Sequence, residues 1–263
     1  MKRLLITSIL LFTYTLLPFS KQQMLAKLLD STRGRPVTYI MSQLRSGNTW
    51  FRYLTEWFTQ RPTLEYADLG NNANWPLGFI TGHAINTDKS PLWKVHRIRA
   101  LDFAGIRHDT QRDILIVLVR NPKEVIVRNV GSVHAMRFNS WDYVAYFDVL
   151  KVYDCWNPRK RLLIYYEDMM SSPRESIIRI LDFLGETTQD VDDFMTNYDY
   201  HKNKALMLYD HLGGSQTKGE ALIKHSLKLT AEERNEIDAF MAKKYEPLWN
   251  TYLKERYAEK SVD

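Results

Sequence analysis

Apolar positions along the chain fall into two patterns. Some form short unbroken runs, and others return every three or four residues. Val37 to Met41 is a short apolar run rich in β-formers and predicts a strand. A polar turn follows from Ser42 to Gly47. Beyond it Trp50, Phe51, Tyr53, Leu54, Trp57 and Phe58 recur at helical spacing. Leu92 to Ile98 predicts a second strand. Ile114 to Val119 reads Ile-Leu-Ile-Val-Leu-Val and predicts a third. That run lacks polar alternation, as a central strand buried on both faces should. Leu162 to Tyr166 predicts a fourth.

Helix signals lie between and after these runs. Ser172-Pro173-Arg174-Glu175 predicts a helix start, with Ser172 as cap, Pro173 in the first turn and Glu175 closing a capping box. Ile177, Ile178, Ile180, Leu181 and Leu184 continue that helix, and Gly185 stops it. Thr230 with Glu233 repeats the capping-box signature before the last helix. Strands alternating with helices imply an α/β fold with a parallel sheet covered on both faces. Ligands in such sheets sit at the carboxyl ends of the strands.

Composition changes this picture in three places. The 263 residues suit one domain, with its boundaries at 37–257, preceded by a linker at 21–36. The formal charge of +5 fits anionic ligands but is too diffuse to imply nucleic acid. Cys155, the single cysteine, excludes an internal disulfide and a cysteine zinc site, and is expected to be a buried structural thiol. Residues 1–20 form an N-terminal hydrophobic segment: Met1-Lys2-Arg3 precedes an apolar run from Leu4 to Phe19. Three readings fit that run: an uncleaved membrane anchor, a signal peptide, or a helix packed on the domain. Membrane association is the favoured expectation, with a cytoplasmic N-terminus if the run inserts.

Three segments carry candidate chemistry. Arg45-Ser46-Gly47-Asn48-Thr49-Trp50 joins the first strand to its helix. A helix start offers unpaired amides and partial positive charge, Gly47 permits close approach, and Ser46, Asn48, Thr49 and Arg45 add donors. An ordinary capped helix with a solvated arginine is the alternative. In Trp93-Lys94-Val95-His96, strand alternation places Lys94 and His96 on one face, a base beside a cation. A half-exposed strand with a wet face would look the same. Val119-Arg120-Asn121-Pro122-Lys123-Glu124 ends the buried strand, so Arg120 emerges at the ligand edge. Its alternative is a strand-end salt bridge. The Gly-x-x-x-x-Gly-Lys-Ser/Thr loop of nucleotide triphosphate enzymes does not occur.

The ordered set resembles the superfamily of sulfotransferases that use 3′-phosphoadenosine-5′-phosphosulfate (PAPS). Arg45 to Trp50 is similar to the family's 5′-phosphosulfate loop in a branch reading Arg-Ser-Gly-Asn-Thr-Trp. Arg45 stands where most members have Lys. Lys94-Val95-His96 matches a Lys-x-His pair whose His is the general base. Arg120 to Glu124 resembles the 3′-phosphate motif, with Arg128 where a Ser is usual and Ser132 as a substitute. Tyr165-Tyr166-Glu167-Asp168-Met169 resembles a Tyr-Glu-Asp motif whose Tyr, here Tyr166, lies beside the adenosine; Phe183-Leu184-Gly185 fits a helix end. Thr217-Lys218-Gly219 resembles the loop over the 3′-phosphate, with Thr217 in place of its Arg.

The resemblance implies a three-layer, P-loop-like fold. It implies PAPS as donor, no metal, His96 as base, and Lys94 and Arg45 as charge stabilisers. Donor contacts would come from Arg45, Ser46, Gly47, Asn48, Thr49, Trp50, Arg120, Arg128, Tyr166, Lys218 and Gly219. The acceptor would be a small molecule, glycan, lipid or peptide. Leu64 to Asp88 and Val133 to Tyr153 would line its side, with Trp75, Phe79, Met136, Phe138 and Trp141 as apolar candidates. A kinase-like phosphotransferase and a non-catalytic binding protein are the rival readings.

Overall fold

The structure is a computed structural model that describes residues 35–43, 46–65, 89–96, 109–130, 141–211 and 229–259. Its described strands are β1 (Thr38–Met41), β2 (Thr63–Glu65), β3 (Leu92–Val95), β4 (Ile114–Val119) and β5 (Arg161–Tyr165). They form one sheet in the order β2-β3-β1-β4-β5, and each pairing is parallel. Helix α1 (Asn48–Thr59) follows β1, α2 (Pro122–Val130) follows β4, and α3 (Trp141–Cys155) leads back to β5. Then come α4 (Tyr166–Ser171), α5 (Pro173–Leu184), α6 (Val191–Thr196), α7 (Tyr198–His211) and α8 (Ala231–Lys244). A helical end follows from Glu246 to Tyr257, with a π turn at Trp249–Leu253.

Strand alternation divides the core into two layers, because successive side chains leave opposite faces. Tyr39, Met41, Trp93, Val95, Val117 and Val119 pack with Phe147 and Leu150 of α3, Met241 of α8 and Trp249. Ile40, Leu92, Ile116, Leu118 and Ile164 pack with Phe51 and Leu54 of α1, Ile180 and Leu181 of α5 and Phe194 of α6. The expected three-layer α/β arrangement is therefore present. In β4 every residue beyond Ile114 is buried, as its unbroken apolar run requires.

Several local expectations need correction. Tyr166 is not the last strand residue but opens α4, whose first turn carries Glu167 and Asp168, the charge sign a helix start favours. Residues 97–98 of the expected second strand lie outside the described residues. The helix from Pro173 to Gly185 forms, and Gly185 takes φ 69° as its stop. Ser172, however, makes no side-chain cap bond. It also ends α4, which sets its ψ at 64°. At Thr230 ψ is 162°, and the full capping box with Glu233 closes. Cys155 is exposed rather than buried. The inward position goes to Trp156 next to it, whose Nε1 donates to the Asp113 carbonyl at 2.8 Å. Among the described residues no helix is long and apolar enough to cross a membrane; residues 4–19 lie outside them.

Edge strand β2 has no clear pattern in its three residues, Thr-Leu-Glu. A buried polar cluster supports it. Arg52 Nε donates to Thr63 Oγ1 and a terminal nitrogen to the Thr63 carbonyl, both at 2.8 Å. Glu56 accepts from the Thr63 amide at 2.9 Å and from the Thr63 hydroxyl. Burial pushes the Glu56 carboxyl up to about 7, against the opposing pull of Arg52 and Thr63. The folded chain thus holds a proton between roughly pH 4.5 and 7 that the unfolded chain releases, so stability falls as pH rises through that window. Glu56→Gln has no such slope. Between pH 5 and 8, the unfolding free energy of wild type minus that of Glu56→Gln should fall, by up to about 3 kcal/mol. Parallel pH profiles from denaturant melts would refute this assignment.

Candidate functional site

The register fixes where the strands stop. Met41 lies level with Val95 and Val117, and Val119 lies level with Tyr165. The residues just past those ends, Ser42 and Gln43, His96, Arg120 and Tyr166, lie at one carboxyl edge of the sheet. They belong to four of the sequence motifs, and parallel strands bring all four to the same edge.

Gly47 caps α1 with φ 93°, a conformation that L side chains rarely adopt. Among the described residues no side chain caps this helix. Its first-turn amides therefore face outward as donors with partial positive charge. The Phe51 amide makes the first helical bond to the Gly47 carbonyl at 3.1 Å. Ser46 is buried, and its hydroxyl has no hydrogen-bond partner among the described residues. Asn48 Nδ2 donates to Ser42 Oγ, which itself donates to the Gln43 carbonyl at 3.1 Å. Thr49 is half-buried in the first turn. Trp50 points inward, stacked on Tyr53 with centroids 5.7 Å apart and edge-on to Tyr198 at 5.5 Å. Its ring belongs to the core between α1, α6 and α7.

On β3, Trp93 and Val95 enter one core layer, and Lys94 lies buried on the opposite face. His96 follows at the strand end. Its Nδ1 is 2.7 Å from the Ser42 carbonyl oxygen. A carbonyl only accepts, so Nδ1 carries the hydrogen and a neutral ring presents a lone pair at Nε2. The Ser42 amide in turn donates to the Val95 carbonyl at 3.3 Å, which locks the two strand ends together.

Arg120 is buried at the end of β4. Its guanidinium lies 4.4 Å over the Tyr166 ring and 3.9 Å from a Glu124 carboxylate oxygen. Tyr146 donates to its carbonyl at 2.6 Å. The other face of the site closes just as tightly. A Cβ placed on Gly47 would meet Tyr166 Cδ2 at 2.4 Å and Cε2 at 2.6 Å. Gly47, Tyr166 and Arg120 are therefore contiguous, and the Tyr166 ring bridges the β1–α1 turn to the end of β4.

Arg45, Ser132, Thr217, Lys218 and Gly219 lie outside the described residues, as do Trp75, Phe79, Met136 and Phe138. Arg128 and Trp141 fall on α2 and α3, with their side chains outside the described part. Sequence reasoning passed over Glu167. Its carboxylate accepts from the Asn121 amide at 3.0 Å and ties the two motifs together. The signal was present in the Tyr-Glu-Asp spelling, but a bond to backbone leaves no mark in the partner's side chain. Gly47→Ala adds a Cβ at positive φ against the Tyr166 ring, so it should cost about 2 kcal/mol or more in a denaturant melt. An unchanged midpoint would show that the ring does not press on this turn.

The Sulfotransferase domain family matches residues 111–262. That stretch is more than half of the 263-residue chain and contains the Arg120 and Tyr166 motifs. No curated protein matches the chain. Solved structures show a distant likeness. A mouse sulfotransferase complexed with PAP is 14% identical over 86% of this chain and 90% of its own, with TM-score 0.49. Retinol dehydratase in complex with androsterone and the inactive cofactor PAP is 16% identical over 90% and 87%, with TM-score 0.45. A sulfotransferase from Mycobacterium avium is 12% identical over 89% and 81%, with TM-score 0.49. The match over residues 111–262 is the one that assigns the family: the chain belongs to the sulfotransferases.

Proposed function

We propose that the Ser42–Asn48 turn, Tyr166 and Arg120 bind PAPS, and that His96 is the base that activates an acceptor hydroxyl. The observation that carries this reading is the contiguity of Gly47, Tyr166 and Arg120 beside a histidine whose tautomer is fixed. The residues fit a nucleotide with an anionic group at each end. The buried Ser46 hydroxyl, which has no partner among the described residues, and the first-turn amides of α1 suit a 5′-phosphosulfate. Arg120, which lies over the Tyr166 ring at the end of β4, suits a 3′-phosphate through its planar fork. When bound, PAPS supplies a sulfuryl group on a phosphate leaving group.

The chain's own residues do the rest. Ser46 and the first-turn amides orient the 5′ end. The Ser42 carbonyl holds His96 with Nε2 as the acceptor of the hydroxyl proton. Lys94 adds positive charge from the neighbouring strand position. Arg45 adds more but cannot release a proton, so it stabilises charge without acting as an acid. Trp50 supports the turn from within the core. Arg128, Lys218 and Gly219 are further donor contacts on resemblance alone, and the acceptor is a hydroxyl compound of unassigned class.

Two variants test the division of labour. His96→Ala should lower turnover of radiolabelled PAPS by about 10²–10⁴-fold and leave PAP affinity intact. Arg120→Ala should weaken PAP binding by about 1.5–3 kcal/mol in titration calorimetry, because a charged hydrogen-bond partner is lost. Near-normal turnover in the first variant, or unchanged affinity in the second, would remove that residue from its role. A wild-type preference for ATP with magnesium over PAP would remove the donor assignment itself.

A further inference from the structure

Lys123 lies one helical turn beyond Arg120 and is fully buried. Its ammonium donates to both Asp238 carboxylate oxygens, at 2.8 and 2.9 Å, and to the Tyr257 carbonyl at 2.6 Å. Glu259 lies 3.3 Å away, with its backbone amide on Asp238 at 2.8 Å and its carboxylate 3.2 Å from Arg234. Two cations and two carboxylates thus join α2, α8 and the chain beyond Tyr257. A buried ammonium persists only with partners of this kind.

The same stretch reaches the other motif. Tyr257 donates its hydroxyl to Glu167 at 2.6 Å, and the other oxygen of that carboxylate holds the Asn121 amide at 3.0 Å. Asn121 is the residue after Arg120. Burial and the Glu167 charge push the Tyr257 phenol far above its usual range, so it remains a donor at any working pH. Arg256 forks onto Asp168 at 2.8–2.9 Å and lies 3.9 Å over the Tyr165 ring. Tyr165 in turn donates to the Tyr252 carbonyl at 2.8 Å.

We propose that residues 252–259 form a clamp that sets the position of Arg120 for a 3′-phosphate, with Tyr257 and Lys123 as positioning residues. This inference rests on the donor-site reading above. Neither residue is placed against the donor. Tyr257 acts through Glu167 on the Asn121 amide, and Lys123 fixes the first turn of α2, where Asn121 Oδ1 already accepts from the Lys123 amide at 2.9 Å. At the other end of the site Ser42 bonds to Val95 and His96, and Gly47 meets this network only through the Tyr166 ring. Loosening the clamp therefore disturbs the 3′-phosphate end of the site, which it touches through the Asn121 amide, more than the 5′ end, which it reaches only through the Tyr166 ring.

The test compares PAP with adenosine 5′-monophosphate, which lacks the 3′-phosphate, by titration against wild type, Tyr257→Phe and Asp238→Asn. Tyr257→Phe removes one hydroxyl and keeps the ring. Its PAP dissociation constant should rise about tenfold, the scale of one lost hydrogen bond to a charged group. Its affinity for the monophosphate should stay within about twofold. Asp238→Asn should shift the same ratio in the same direction, and it carries the test if Tyr257→Phe does not fold. Equal weakening toward both nucleotides, or no weakening, overturns the clamp while leaving the donor site standing. A wild-type protein that does not prefer PAP to the monophosphate overturns the donor site and the clamp together.

Discussion

The close approach of the β1–α1 turn to the first residue of α4 organises the carboxyl edge of the sheet. Gly47 has no side chain, and the Tyr166 ring occupies the space that one would fill. That ring then supports the Arg120 guanidinium on the adjacent strand end. A helix start and an arginine from distant parts of the chain are thereby held at a fixed spacing by one aromatic ring. A donor with phosphates at both ends of a nucleoside needs such a fixed spacing, because orientation must be set before chemistry begins.

The sheet makes this approach inevitable. All its described pairings are parallel, so the ends of β1, β3, β4 and β5 face the same way. Polar groups past those ends have no further sheet to pair with, and they turn to one another. The Ser42 carbonyl takes the His96 ring hydrogen, and Glu167 takes the Asn121 amide. The bonds that close the sheet's edge are also the bonds that fix a tautomer and a helix start. Structure and chemistry share the same groups here.

Much of this was legible in the sequence, for physical reasons. Ile114 to Val119 has no polar residue to tolerate water, so it could only be a central strand. The placement of Trp93 and Val95 opposite Lys94 follows from the two-residue period of any strand. The turn at Gly47 was legible because strand, polar loop and helix signals meet there. Other features carried no such mark. β2 is three residues long and is supported by Arg52 and Glu56 of α1, eleven and seven positions before Thr63, through bonds that no periodicity encodes. Cys155 and Trp156 both suited the interior, and it is the tryptophan that is buried, with its ring nitrogen on the Asp113 carbonyl. Lys123 reads as one more surface lysine in a basic chain. Its burial depends on Asp238 and Glu259, more than a hundred residues away in sequence.

The central claim is that one ligand spans the Gly47 turn and Arg120 across the Tyr166 ring. A crystal structure of the protein with PAP tests it most directly. The account predicts the 5′-phosphate on the amides and hydroxyl of Ser46 to Thr49. It predicts the 3′-phosphate within hydrogen-bond distance of the Arg120 guanidinium, with His96 Nδ1 still on the Ser42 carbonyl. PAP bound elsewhere, or with its 3′-phosphate turned away from Arg120, would contradict it.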